Sequence, residues 1–386
     1  MKRVAVIGVG CLKIDSYAER PEHELLTETL KMAIDDCGVT KKDIDGMLII
    51  DRVYNEQQMF ENWYPAAYLQ METRICGKLL CGGASPGFAL SHARYALACG
   101  DASVMVVASV NHETQVSTAD HMMFAGRTFD RDYDLIHGVT ITGVNGAMLT
   151  QRYLWEHKVP HEHIAMVAVR NRENASLNPI ARYRQPLITV EEVLSSRVIA
   201  HPIHLLECAS RDDGAAVVIL AGEDRAREFR KPPIWIKGYG EYHDAASYIS
   251  DDLTRLPAFG RAVRIACERG GVKPQDVQFA EVYAPFAVME VIALDEMGFA
   301  PRGQGARLVA EGFTHRRGKF PLNVSGGLTS RGHPTYATEL YNFIGAVQQL
   351  RGEAGALQLP GVTIGMATGA HSGANGHTVH ILEREG

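Results

Sequence analysis

The stretch LKMAIDDCGVTKKDIDGMLII (residues 30–50) recurs later in the chain as VRIACERGGVKPQDVQFAEVY (residues 263–283). The two copies align without a gap at a constant separation of 233 residues. The matched pairs are Ala33 with Ala266, Gly38 with Gly271, Val39 with Val272, Asp43 with Asp276 and Ile44 with Val277. Each copy predicts a helix, a glycine that ends it, a short polar turn and a strand. Two unrelated units of this kind can look alike by chance; we favour a duplicated βαβ-type domain.

The rest of the chain alternates between predicted strands and predicted helices. Apolar runs predict buried strands at residues 4–9, 47–50, 104–110, 215–221 and 234–236. Helical spacing of apolar residues predicts helices at 23–37 and 86–99. This alternation predicts an α/β protein whose sheet is covered by helices on both faces. The first half is expected to span residues 1–231 and the second 232–386, with an insertion at about 112–205 in the first half.

The composition excludes several classes of protein. The 386 residues are 46% hydrophobic and 22% charged, with a net charge of −6, which is typical of a folded globular protein. There is no basic tract for nucleic acid and no apolar run long enough to span a membrane. The apolar run near the start is predicted to be a buried strand rather than part of a secretory signal. The seven cysteines form no CxxC pair, so we expect a reduced, cytoplasmic protein without a disulfide framework.

Two segments place candidate functional groups at the ends of predicted elements. The glycine-rich turn within CGGASPGFALSHARYALACGDASVMVVAS (81–109) opens a helix, where free backbone N–H groups can hold an oxyanion or a phosphate. Packing alone also explains such a turn. In EVYAPFAVMEVIALDEMGF (281–299), Tyr283 lies where a strand stops, which is a common position for functional side chains in α/β sheets. The alternative is a core tyrosine whose hydroxyl is hydrogen-bonded.

Two further glycine-rich segments carry candidate histidines. Within NVSGGLTSRGHPTYATELYNFIGAVQQLRG (323–352), Pro334 suits the first position of a helix, which would make His333 the N-cap. The helix dipole would then lower the pKa of the imidazole. His371 lies in the glycine-rich loop of GMATGAHSGANGHTVHILERE (365–385) and could approach a substrate or simply face solvent.

No metal site is predicted. We expect no metal at the pairs His201/His204 and His161/His163, and the 212–214 stretch (DDG) is interpreted as a turn before a strand. No HExxH motif is present.

Taken together, the duplicated halves, the glycine-rich turn at 82–87, the GGxxxxGH turn at 326–333 and the glycine loop at 369–376 resemble the thiolase superfamily. The sterol-carrier-type and lipid-transfer-protein-like branch is the most similar one. The stretches that carry this likeness are DDGAAVVILAG (212–222), ALDEMGFAPRGQG (293–305), FPLNVSGG (320–327) and AVQQLRGEAG (346–355). The resemblance implies a five-layer αβαβα fold, a homodimer, a CoA-thioester substrate, no separate cofactor, and a loop domain formed by the insertion.

The chain departs from the thiolase pattern at the nucleophile. In thiolases that cysteine lies seventeen residues before the glycine of the GDA turn, here Gly100, and the matching position is Gly83. The second thiolase cysteine corresponds to a position near Ala370. Cys81 is two residues out of register, which moves a side chain by several ångströms, up to about 3.3 Å per residue. Without a thiol there is no acyl-enzyme, so the covalent step is lost.

Stabilisation of an acyl-CoA enolate does not require that thiol. The resemblance to steroid side-chain-cleaving aldolases implies a carbon–carbon lyase that performs aldol or retro-aldol cleavage. In that hypothesis Tyr283 is the general acid/base, His333 holds the thioester oxyanion, and the backbone at Gly83, Ala84 and Gly373 supplies space and donors. The aldolases have an Asp after the tyrosine where this chain has Ala284, and a second tyrosine where it keeps a histidine.

Two alternatives remain open. One is an acyltransferase or condensing enzyme in which Cys81 or a partner supplies the missing group. The other is a non-catalytic acyl-CoA-binding subunit; relatives of this branch often work with a small zinc-ribbon/OB-fold protein. The insertion is expected to shape a pocket for a bulky apolar acyl group, or to form a plain core, through Met122, Met123, Phe124 and Tyr133.

Overall fold

A computed structural model describes residues 2–50, 63–130, 132–244, 252–371 and 374–385. The strands in these ranges are β1 (Val4–Cys11), β2 (Gly46–Ile50), β3 (Ile75–Lys78), β4 (Val104–Asn111), β5 (Val198–Ala200), β6 (Ile203–His204), β7 (Gly214–Gly222), β8 (Ile234–His243), β9 (Phe279–Glu281), β10 (Ile364–Ala370) and β11 (Gly376–Arg384). The helices are α1 (Glu22–Cys37), α2 (Trp63–Tyr68), α3 (Ser85–Cys99), α4 (Thr118–Gly126), α5 (Leu149–His157), α6 (His161–Leu177), α7 (Val190–Ser195), α8 (Pro257–Gly270), α9 (Ala287–Met297), α10 (Gly305–Ala310) and α11 (Thr338–Arg351).

The large sheet repeats one strand pattern in its two halves. Its order is β3-β2-β4-β7-β1-β8-β11-β10-β9. In the first half, β7 is antiparallel to both β1 and β4, and β4 is parallel to β2. In the second half, β11 is antiparallel to both β8 and β10, and β10 is parallel to β9. The halves meet where β1 pairs antiparallel with β8.

The repeated sequence predicted this duplication correctly. Helices α1 and α8 both end at a left-handed glycine, Gly38 with φ 75° and Gly271 with φ 62°. Each is followed by a short 3-10 turn whose aspartate, Asp43 or Asp276, accepts a hydrogen bond from the backbone N–H three residues earlier. The strands β2 and β9 then begin at equivalent positions. Local chemistry of the turn is therefore the same in both copies.

Alternating side chains on the strands divide the core into layers. On β1, Ile7 packs outward with Leu30 of α1, whereas Val6 packs inward with Leu90 of α3 and Leu340 of α11. The outer face of the second half packs against α8 and α9. Both halves of the large sheet pack on α3 and α11, which form the central layer. The order helix, first half of the sheet, central helices, second half of the sheet, helix is the five-layer αβαβα arrangement. Between β4 and β7 the chain forms α4 to α7 and the small hairpin of β5 and β6.

Each half brings a helix unusually close to a strand through glycine. A Cβ added at Gly10 of β1 would lie 2.6 Å from the Thr29 carbonyl oxygen of α1. One added at Gly240 of β8 would lie 2.0 Å from the Ala262 carbonyl oxygen of α8. Both contacts are to backbone carbonyl oxygens, which cannot move aside by a change of rotamer as a side chain can. Glycine is therefore required at these strand positions by close packing.

None of the helices that the structure describes combines the length and the hydrophobicity that crossing a bilayer requires.

Replacement of Gly240 by Ala should lower the free energy of unfolding by about 1–3 kcal/mol, because α8 must move away from β8. Denaturant unfolding of the purified protein measures the change. Gly222→Ala is the matched control, since its new Cβ would lie 3.8 Å from the nearest atom. We expect the control to change stability by less than about 1 kcal/mol. Equal effects of the two substitutions would contradict the packing argument.

Candidate functional site

A cavity of about 800 Å³ lies where the two halves and the inserted segment meet. Much of its lining is apolar, including Leu80, Phe88, Ile141, Phe286 and Met289. The titratable and charged side chains that line it include Glu113, His121, Arg127, Arg211, His243, Tyr283, His333 and His371. A mainly apolar pocket with a few convergent polar groups is the usual form of a small-molecule site.

Tyr283, which lines the cavity, lies against Gly83. A Cβ built at Gly83 would lie 2.2 Å from the Tyr283 hydroxyl oxygen and 2.5 Å from the Ala370 carbonyl oxygen. The phenol therefore occupies the volume in which any side chain at position 83 would begin. Three of the four segments that the sequence analysis singled out, at the start of α3, after β9 and at the end of β10, meet at this point.

Tyr283 lies just beyond the end of β9, as the sequence predicted. Its backbone N–H donates to the Thr368 hydroxyl at 3.0 Å, which fixes the residue against β10. The side chain is 7% exposed. Burial, reinforced by the nearby charge of Glu113, raises the pKa of Tyr283 well above its ordinary value. At neutral pH the side chain is therefore a phenol and not a phenolate.

His333 is the hydrogen-bonding partner of this phenol. Its Nε2 lies 3.4 Å from the Tyr283 hydroxyl oxygen, and the rings meet edge to face. Its Nδ1 lies 2.8 Å from the Thr338 hydroxyl oxygen. Burial, followed by the nearby Arg331 and His121, lowers the pKa of His333 to about 3. The imidazole is neutral at physiological pH.

The predicted position of His333 at a helix N-cap is wrong. Helix α11 begins at Thr338, with Ala337 as its N-cap, so residues 334–337 form a turn before the helix. The first helical residue reaches back through its hydroxyl to hold the imidazole. The lowered pKa of His333 follows from burial and neighbouring charges rather than from the helix dipole.

Asp212 and Asp213 make hydrogen bonds that support the site, although the sequence predicted only a turn there. Asp212 accepts the backbone N–H of His333 at 2.8 Å and the Arg182 side chain at 2.5 Å. Asp213 accepts the backbone N–H of Thr114 at 2.8 Å, next to the cavity residue Glu113. Both carboxylates are completely buried. An Asp-Asp-Gly sequence gives no sign of these partners, because they are distant in the chain.

Cys81 lines the cavity but is not brought to His333. Among the described residues its thiol makes no hydrogen bond with that imidazole. Its backbone N–H donates to the Ser85 hydroxyl at 2.7 Å, within the turn that opens α3. Partial burial, with the charge of Glu241, raises the pKa of the Cys81 thiol. The thiol is therefore less nucleophilic than a free cysteine at neutral pH.

His371 lines the same cavity, at the end of β10. Its Nε2 lies 3.0 Å from Nδ1 of His243, and the two rings are stacked. Burial and the neighbouring His243 lower the pKa of His371 to about 4. Ala84 is the buried N-cap residue of α3. Gly373, predicted to supply an oxyanion contact, lies outside the described residues.

Two of the four residues predicted to shape the pocket, Met123 and Tyr133, are exposed and lie outside the cavity lining. Met123 and Tyr133 are 67% and 77% exposed and do not line the cavity, so their predicted role in shaping the pocket is wrong. The side chains of Met122 and Phe124 lie outside the described part of the structure. The described residues contain no group of three or more His, Cys, Asp or Glu suited to a metal ion.

Sequence reasoning missed the acidic and basic residues contributed by the segment after β4. Glu113 is completely buried, and its Oε2 lies 4.0 Å from His121 Nδ1. Burial and Arg211 lower the pKa of His121 to about 4. Only the position of Glu113 two residues after a buried strand could have suggested a functional role.

Comparison with known families covers nearly the whole chain. Residues 4–224 match the thiolase N-terminal domain, and residues 240–384 match the thiolase C-terminal domain-like family.

Named relatives include both an acyltransferase and a lyase. An acetyl-CoA acetyltransferase of Methanothermobacter thermautotrophicus is 33% identical, with 100% of each chain covered. A 17-hydroxy-3-oxo-4-pregnene-20-carboxyl-CoA lyase of Mycobacterium tuberculosis is 27% identical, with 91% of this chain and 92% of the relative covered. Among solved structures, an Ltp2-ChsH2(DUF35) aldolase superposes with a TM-score of 0.86 at 25% identity, covering 99% of this chain and 98% of that one.

Buried neutral histidines predict a loss of stability in acid. His377 and His380 on β11 are 1% exposed, and burial lowers the pKa of each to about 3. The unfolded chain takes up these protons near pH 6.5, so it binds more protons than the folded state below that pH. The free energy of unfolding should therefore fall as the pH decreases below about 6.5, by up to about 1.4 kcal/mol per pH unit for each histidine.

Denaturant unfolding at several pH values tests this expectation. His380→Asn should make the dependence of unfolding free energy on pH shallower by about one proton. An unchanged slope would show that His380 is not held neutral in the folded state.

Proposed function

Since this chain belongs to the thiolase family, we propose that it is a carbon–carbon lyase that cleaves β-hydroxyacyl-CoA thioesters by a retro-aldol reaction. The observation that carries the proposal is the contact between Gly83 and Tyr283. The Tyr283 phenol occupies the volume in which a nucleophilic side chain at position 83 would start. The site therefore has a proton carrier where a covalent nucleophile would otherwise lie.

The reaction begins at the β-hydroxyl group of the substrate. Tyr283 accepts the hydroxyl proton while its own proton passes to Nε2 of His333, which lies 3.4 Å away. The Cα–Cβ bond then breaks, which releases a ketone or aldehyde and leaves the thioester enolate. The enolate takes a proton at Cα, returned through the same pair, to give a shortened acyl-CoA. All atoms come from the substrate, so the reaction requires no co-reactant.

The pair is suited to this relay by its protonation states. Tyr283 is a phenol and cannot act as a base without a partner, because its pKa is raised. His333 is neutral and can accept a proton. Once protonated, the imidazolium would stand next to the developing enolate and stabilise its negative charge. The cost of charging a buried imidazole is offset only while that enolate is present.

Backbone donors complete the proposed oxyanion site. Gly83 and Ala84 immediately precede α3, whose first N–H groups lie at the positive end of the helix dipole. The thioester oxygen bound there would be close to both Tyr283 and His333. Preorganised donors of this kind typically contribute about 10²–10³ in rate.

The substrate is proposed to carry a bulky apolar acyl group. The cavity volume of about 800 Å³ is at the upper end of ordinary ligand pockets, and its apolar lining suits a hydrocarbon skeleton. The similarity to a pregnene carboxyl-CoA lyase points in the same direction.

Acyl transfer is the second candidate function. It is favoured by full-length similarity to an acetyl-CoA acetyltransferase and by the presence of Cys81 in the cavity lining. This reaction would require an acylated cysteine or a thiol from elsewhere.

A further component is part of the proposal. The similar aldolase of known structure is named as a pair of proteins, Ltp2 and ChsH2(DUF35). This supports the proposal that the present chain also works with a small partner protein, of the zinc-ribbon/OB-fold type. We also propose a homodimer. If the pure chain is inactive and such a partner restores cleavage, the chain works as a subunit of an assembly.

The decisive experiment is incubation with a panel of β-hydroxyacyl-CoAs, with and without a candidate partner. Chromatography and mass spectrometry would detect a released ketone or aldehyde together with the shortened acyl-CoA. The same samples are digested to look for an acyl group on Cys81. Cleavage with an unmodified Cys81 is expected; acylated Cys81 without cleavage would replace the lyase by an acyltransferase.

Tyr283→Phe should lower kcat by about 10²–10⁴, because the proton carrier is lost while the ring is kept. Steady-state kinetics on a cleaved substrate measures this effect. Tyr153→Phe is the matched control: that tyrosine is also buried, but its hydroxyl donates to Asp295 on α9, outside the cavity. A near-wild-type rate in Tyr283→Phe would remove this residue from the mechanism.

A further inference from the structure

A buried carboxyl group from the second half reaches the start of α3 in the first half. Glu339 is completely buried at the beginning of α11. Its Oε2 accepts the backbone N–H of Gly87 at 2.8 Å, and its Oε1 lies at hydrogen-bonding distance, 2.6 Å, from the Thr378 hydroxyl oxygen. The side chain thus links α3, α11 and β11 directly behind the Gly83–Tyr283 contact.

Glu339 supplies a cap that α3 does not provide for itself. The N-cap residue Ala84 has no side-chain acceptor, and Gly87 is the third residue of the helix. A helix usually satisfies this N–H with a Ser, Thr, Asp or Asn at its own N-cap. Here the acceptor comes from Glu339, which lies 252 positions later in the chain.

The glycines on either side are shaped to admit the carboxyl group. A Cβ at Gly87 would lie 2.2 Å from Oε1 of Glu339. One at Gly369, next to the Ala370 carbonyl that faces Gly83, would lie 1.9 Å from Oε2. Gly87 in α3 and Gly369 in β10 therefore make room for the Glu339 carboxyl group.

The surroundings of Glu339 offer no full positive charge. Within the described residues the nearest cationic candidate is His380 on β11, with Nδ1 3.8 Å from Oε1. Burial, followed by Arg94 of α3, lowers the pKa of His380 to about 3, so it is neutral. The other titratable neighbours are Glu241 on β8 and Tyr283, and Glu241 further raises the already elevated pKa of Glu339. An unpaired buried carboxylate would be costly here.

We propose that Glu339 is a positioning residue that caps α3 as a neutral carboxylic acid and so leaves the positive end of this helix for the thioester oxygen of a bound acyl-CoA. A carboxylate at the same place would satisfy the Gly87 N–H equally well. It would also place a negative charge at the helix start, where it would oppose the oxyanion. The neutral acid provides the hydrogen bond without that charge. The inference rests on the proposed function only for the identity of the ligand.

Infrared spectroscopy tests the protonation state directly. At pH 7 the wild-type protein should show the carbonyl band of a protonated carboxyl group that is absent from Glu339→Gln. Glu290→Gln is the matched control, because Glu290 is equally buried but accepts hydrogen bonds from Arg170 and Asn171. The control should retain the band. If Glu339→Gln leaves the band region unchanged, Glu339 is ionised and the proposal fails.

Ligand binding tests the positioning role with two unreactive probes. S-carboxymethyl-CoA carries a carboxylate near the place of the thioester oxygen, and S-carbamoylmethyl-CoA is its neutral amide. Calorimetry should show that Glu339→Gln keeps the wild-type ratio of the two affinities within about threefold. Glu339→Ala leaves the Gly87 N–H unsatisfied and should weaken the anionic probe about tenfold more than the neutral one.

Each other outcome overturns the inference. If Glu339→Gln does not keep the wild-type ratio of the two affinities, the charge of Glu339 contributes to probe binding and Glu339 is not a neutral acid. Equal weakening of both probes in Glu339→Ala would indicate a merely structural role, and unchanged binding would indicate none. If Glu339→Ala does not fold, the glutamine variant and the infrared band still decide the question. Neither probe can be cleaved or transferred, so these results stand even if the lyase reaction is not found.

Discussion

One small volume next to residue 83 determines the rest of the site. This volume can hold either a side chain at position 83 or the Tyr283 hydroxyl, because a Cβ at position 83 would lie only 2.2 Å from that hydroxyl oxygen. Glycine at position 83 leaves room for the phenol, whose hydroxyl oxygen lies 3.4 Å from Nε2 of His333. The chemistry available to the thiolase fold in this chain therefore follows from the absence of a single side chain, and that absence is visible in the sequence.

Burial governs how the polar groups around that volume behave. Tyr283 and His333 are both held in their neutral forms by loss of contact with water. Their partners are fixed hydrogen-bonding groups of the protein, such as Thr338 and Asp212. A neutral donor–acceptor pair of this kind can pass a proton when a substrate supplies one, and it carries no charge when the cavity is empty. Tyr283 and His333 are therefore two neutral groups held in fixed positions.

Local patterns in the sequence predicted the fold well and predicted the site in part. The repeat revealed the duplication because the same glycine stop and aspartate turn are built twice, at Gly38–Asp43 and Gly271–Asp276. The strand end at Tyr283 was equally visible. The start of α11 was not, because Pro334 fits a turn as well as a first helical position. The roles of Asp212 and Glu339 depend on partners far away in the chain, which no short pattern encodes.

The first strand also sets a condition on how the protein is made. Strand β1 (Val4–Cys11) is hydrogen-bonded to β7 (Gly214–Gly222) and to the start of β8, so its neighbours are more than 200 residues away. On a ribosome this strand is synthesised long before those neighbours, and both of its edges stay unpaired until they have been made. At about 5–20 residues per second that interval lasts on the order of 10 seconds or more. Exposed strand edges can pair with other chains, so the nascent protein is open to such association during that time.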